Sequence, residues 1–131
     1  MLSAAHPLWS SFLLVSGGLF LIVFALPLLC APLRWARWFG WTVPADTRLT
    51  TYFGRCVGGL AVAMVVAVVR AAPAPERHLG LYELAASMMA ILTGVHVVGA
   101  VERSQPPAET WEILMYAAMT ALFVWARLAL G

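Results

Sequence analysis

Arg55, His96 and Glu112 bring three unlike chemistries into long apolar runs. Arg55 lies seven residues past Arg48, His96 seven before Arg103 and Glu112 five past Pro107, and at a helical rise of 1.5 Å each offset is roughly 8–10 Å of depth. A cation, an imidazole and a carboxylate that enter from one side on three helices can meet inside a bundle, and any of them facing lipid would be expensive. By the i, i+3, i+4, i+7 rule Tyr52, Arg55 and Gly59 share one helix face, and Glu109, Glu112 and Tyr116 share another. The candidate ligand-binding cluster is therefore Tyr52, Arg55, His96, Glu109, Glu112 and Tyr116. It supports either an Arg55–Glu112 ion pair that fixes helix register, with His96 donating to a carbonyl or to Glu109, or a polar pocket for the head group of a lipid, quinone or other amphiphile. Proton transfer would need a poised base, which spacing alone does not supply, so no residue is assigned as catalytic.

The remaining reactive side chains point to less. Glu83, about one turn into its helix, sits near the levels of Arg70 and Arg127 and reads as half of an interfacial ion pair. His6, Glu76 and His78 are chemically acceptable metal ligands, but their spacing is no metal motif, and no metal or other cofactor is assigned. A bis-His haem needs two imidazoles at matched depth, and only His96 lies deep enough. Met64, Met88, Met89, Met115 and Met119 form no MxxM cluster and read as core fillers. Cys30 and Cys56 make no CxxC pair, which removes a dithiol relay and a Cys-rich zinc site.

The elements that must position these residues follow from composition. Of 131 residues, 63% are apolar and 11% charged, against about 45–50% and about 25% in soluble domains. Four spans of roughly 20 residues would cross a hydrocarbon core of about 30 Å and leave only short connections. A soluble enzyme domain and a nucleic-acid binder are excluded, since no polar stretch can fold by itself. The expected architecture is an all-α, single-domain membrane protein, an up-down bundle of four transmembrane helices over residues 8–30, 48–70, 79–101 and 109–130. Between the first two spans, APLRWARWFGWTVPADT (31–47) mixes three Trp with Arg34 and Arg37, the residue types that settle at headgroups. A short interfacial helix or turn is expected there, with Trp35, Trp38 and Trp41 on one face.

Small residues mark candidate packing faces, read as intrachain packing over a homodimer face: Gly54 and Gly58 as GxxxG and a second ridge of Gly59, Ala63 and Ala67 in the second span, and Ala86, Ala90 and Gly94 in the third. All eight basic residues are Arg, and the net charge is +2. Arg34, Arg37, Arg48, Arg55 and Arg103 gather at one end, Arg70, Arg77 and Arg127 at the other, so the positive-inside rule puts both termini outside the cytoplasm. MLSAAHPLW lacks a basic n-region and its apolar run lacks a cleavage site, so the first helix reads as retained.

The Trp-bearing stretch, then TTYFGRCVGGLAVAMVVAV, a Pro-containing turn, a third span ending GVHVVGAVE and a fourth begun by an acidic pair together resemble the small DoxX-like bacterial membrane proteins. That resemblance implies an up-down four-helix bundle. It brings no activity with it, because members associated with thiosulfate–quinone oxidoreduction act with partner subunits and no residue here maps onto a redox centre. The expectation is a bacterial inner-membrane protein that binds a lipid-like or quinone-like amphiphile or serves a larger membrane complex or homo-oligomer. The alternative is a membrane enzyme component, quinone-linked or amphiphile-modifying, that uses the Arg/His/Glu cluster.

Overall fold

The structure is a computed structural model that describes residues 2–131, and it is helical throughout, with no strand among the described residues. Four helical stretches of 24 residues each, Pro7–Cys30, Arg48–Ala71, Leu79–Glu102 and Pro107–Leu130, are long and apolar enough to span a membrane. They fall within two residues of the expected spans. The chain forms two compact units, one ending at Pro75 and the other beginning at Glu76. Each unit holds two of the long helices.

In the first unit the opening stretch is not uniform. Helix α1 (Pro7–Phe20) passes through a π-helical turn, Leu21–Ala25, into α2 (Leu26–Cys30). The cause is Pro27, which has no N–H for the Val23 carbonyl and whose ring crowds that carbonyl, so the helix widens there. Helix α3 (Pro32–Trp38) follows after a break at Ala31, and α4 (Arg48–Ala71) returns alongside the opening stretch. Close approach is possible because Gly54 lies against Pro32, and Gly58 against the backbone of Leu28 and Leu29, where a β-carbon would collide. The apolar core here includes Leu13, Ala25, Ala61, Val65 and Val68. At the far end Ser10 donates to the Ala72 carbonyl at 2.7 Å and accepts from the Ser3 N–H at 3.1 Å, so one buried hydroxyl links both arms of the helical hairpin at its open end.

The second unit begins with a 3-10 turn, Pro75–Arg77 at its boundary, and then pairs α5 (Leu79–Glu102) with α6 (Pro107–Leu130). Arg103 ends α5 in the left-handed region at φ 54°. The Ser104 N–H bonds the Gly99 carbonyl and the Arg103 N–H the Ala100 carbonyl, the paired bonds of a Schellman cap. This tight turn makes the helices antiparallel neighbours, matching Tyr82 with Phe123, Glu83 with Arg127 and His96 with Glu109.

Two expected packing ridges are corrected. Gly59 and Gly94 both look onto open space, and Ala63 and Ala90 are exposed. The close-packed small residues of α4 are Gly54 and Gly58, and in α5 Ala86 is buried beside Ala85. Helix faces rotate by about 100° per residue, so neighbouring small residues in one sequence need not share a contact.

Candidate functional site

Glu109 and Glu112 are three residues apart in the first turns of α6, which aims both carboxylates at the facing helix. There the His96 Nε2 lies 3.0 Å from Glu109 Oε2 and 3.7 Å from Glu112 Oε2. All three residues are buried. The other imidazole nitrogen, Nδ1, is 2.8 Å from the Leu92 carbonyl. A carbonyl can only accept, so Nδ1 carries a hydrogen and Nε2 is the nitrogen turned to the carboxylates.

Around this core Tyr116 stacks obliquely on His96 with ring centroids 4.9 Å apart, and its phenol meets the Glu112 carboxylate one turn earlier on α6. Gln105 closes the turn beneath: its amide donates to the His96 carbonyl at 3.0 Å and to Thr110 Oγ1 at 3.2 Å, lying across the bare Gly99. The sequence offered no reason to single out Gln105 or the Leu92 carbonyl. The absence of a side chain at Gly99, opposite a glutamine in the same turn, is the signal that could have found the first.

Of the six residues expected to cluster, the structure brings together His96, Glu109, Glu112 and Tyr116 in the second unit. Tyr52 and Arg55 stand on α4 in the first unit and are exposed. Glu83 forms an ion pair with Arg127, Oε1 to Nε 2.7 Å. Among the described residues His96, Glu109 and Glu112 are the one group of three or more His, Cys, Asp or Glu side chains whose donor atoms could surround a metal ion.

The first unit carries a second feature. Helix α3 doubles back along α2, and the Trp35 indole N–H donates to the Val23 carbonyl at 2.9 Å, occupying the acceptor that Pro27 leaves without its helical donor. Phe24, Trp35 and Phe39 pack as a ring cluster, with Trp35 and Phe39 stacked at 4.4 Å. The expected single aromatic face is corrected here: Trp35 turns inward, whereas Trp38 is 70% exposed and Trp41 lies beyond the end of α3. Between the two helices lies an open groove of about 350 Å³. Ile22, Leu26 and Cys30 form one wall; Arg34, Trp35 and Trp38 form the other.

No family model, curated protein or solved structure matches the chain.

Proposed function

We propose that the protein is a multi-pass protein of the bacterial inner membrane, its four apolar helices crossing as an up-down bundle with both termini on the non-cytoplasmic side, and that it binds an anionic lipid-like amphiphile. The likeness to the small DoxX-like proteins belongs to the same proposal. The observation that carries the binding is the groove between α2 and α3. Its wall is apolar along Ile22, Leu26 and Cys30, it bears one guanidinium at Arg34, and two indoles flank that charge. An acyl chain lies along such a wall while an anionic head meets the cation, and Trp at the headgroup level favours that depth.

Native mass spectrometry of gently extracted protein tests this. Phosphatidylglycerol is expected to be retained in preference to phosphatidylcholine. Arg34→Gln should remove that preference, about five-fold for about 1 kcal/mol per basic residue near a membrane surface, and Cys30→Trp, which fills the groove, should lower retention of both. Equal retention by the wild type and both variants would refute the groove as the binding site.

A second reading, a quinone-linked enzyme component, is favoured by one observation: the hydrogen-bond contact of the His96 imidazole with the Glu109 carboxylate at 3.0 Å in a buried site. A quinone that copurifies with the wild type and is absent from His96→Leu supports it; its absence from both removes it.

A further inference from the structure

The His96–Glu109–Glu112 cluster is more than a hydrogen-bonded pair, and we propose that it binds one divalent first-row metal ion of the Mn²⁺, Fe²⁺ or Zn²⁺ class through His96 Nε2 and one carboxylate oxygen from each glutamate.

Geometry is the first argument. The donor atoms of the three side chains lie within 4.8 Å of one another. Ligands about 2.1 Å from a tetrahedral ion stand about 3.4 Å apart. The two distances from Nε2, 3.0 and 3.7 Å, bracket that spacing. Small side-chain rotations therefore close the set around an ion without moving either helix.

The imidazole is already oriented as a ligand. A metal-bound histidine donates its second ring N–H to a carbonyl or carboxylate, which fixes the tautomer and turns the other nitrogen to the metal. His96 has that arrangement, with Nδ1 bonded to the Leu92 carbonyl and Nε2 facing the carboxylates. Glu112 has outer support as well, since Tyr116 meets it.

Charge gives a third argument. His96 Nε2 lies within hydrogen-bond distance of Glu109 at 3.0 Å, while Glu112 at 3.7 Å is beyond hydrogen-bond range of it. A dication compensates both carboxylates at once. On binding, any hydrogen on Nε2 or on a ligating carboxylate leaves to solvent, and the three ligands carry the ion with at least one position open to water or another ligand. One imidazole and two carboxylates select borderline and hard ions over the soft ones that prefer thiolate or thioether.

The test uses the full chain in detergent, stripped with a chelator and titrated separately with Zn²⁺ and Mn²⁺. One ion per chain is expected for at least one of the two metals, with a rise in the thermal midpoint. Glu112→Gln, which keeps the shape and the Tyr116 contact, should weaken binding at least ten-fold and cancel the thermal shift. His96→Gln should do the same. Binding should persist in the double variant His6→Asn with His78→Asn, which removes the other two imidazoles. Should both site variants fail to fold, X-ray absorption at the zinc edge of the wild type still decides: one imidazole with oxygen ligands supports the site, and a sulfur shell overturns it. Absence of stoichiometric binding of both metals overturns the proposal, as does binding that survives Glu112→Gln or is lost only in the His6 and His78 variant.

Discussion

Ser10 shows how a single hydroxyl holds an apolar hairpin closed. It is fully buried, donates to Ala72 and accepts from Ser3, so its loss strands two backbone groups in a place without water. Ser10→Ala is expected to cost about 2 kcal/mol, within the range for a buried group left unsatisfied. Ser87 provides the contrast, because its hydroxyl bonds the Glu83 carbonyl of its own helix on an exposed face, and Ser87→Ala should be close to neutral. Thermal unfolding in detergent compares the two; equal losses would mean that the Ser10 bonds carry no stability. At this same scale the candidate cluster was half legible. Helical rise gave the common depth of His96, Glu109 and Glu112, and the short turn between their helices converted depth into contact. Depth says nothing of direction around a helix axis: Tyr52 and Arg55 lie on α4 in the first unit and are exposed within it.

The elements were read most accurately where a long apolar run dictates a helix, and least where one residue disturbs it. All four long stretches stand out in the sequence because each is a predominantly apolar run of the length, about 20 residues, that a bilayer crossing needs. The π turn at Leu21–Ala25 and the return of α3 were not anticipated. Pro27 reads as a tolerated residue near a helix end, and the partner that takes up its orphaned carbonyl, Trp35, lies in a segment judged by composition alone. The pair gives a test. Trp35→Phe keeps the ring packing but removes the N–H donor to Val23, and should cost about 1 kcal/mol. In a Pro27→Ala background residue 27 regains an N–H for that carbonyl, so the same substitution should cost less. A double-mutant cycle measures the difference, and additivity would show that the indole does not substitute for the missing helical bond. The glycines of α4 separate as sharply. Gly58→Ala places a methyl on the Leu28–Leu29 backbone and should destabilise the hairpin, whereas Gly59→Ala enters open space and should be neutral or stabilising by up to about 1 kcal/mol from helix propensity. Thermal midpoints that fell equally would mean that α4 does not pack through Gly58.

Across the whole molecule the apolar surface is the dominant fact. Leu60, Val101, Leu114 and Leu128, one or more from each of the three later spans, are each at least 66% exposed, and Ile22 on the first stretch is 69% exposed. Large apolar side chains distributed over every long helix match a lipid environment rather than water. Both the groove at α3 and the buried cluster at the turn of α5 and α6 take their meaning from that setting, since burial of carboxylates and exposure of indoles have different costs in a bilayer. On the proposed up-down topology the 31–47 connection and the 103–106 turn lie on one side of the membrane. With Cys30 and Cys56 replaced by serine, single cysteines introduced at positions 34 and 103 and treated with an impermeant maleimide in intact cells and in inverted vesicles test this directly. Both positions are expected to react from the same side, the cytoplasmic one, so that each is labelled in inverted vesicles and protected in intact cells. Labelling of the two positions from opposite sides would contradict it.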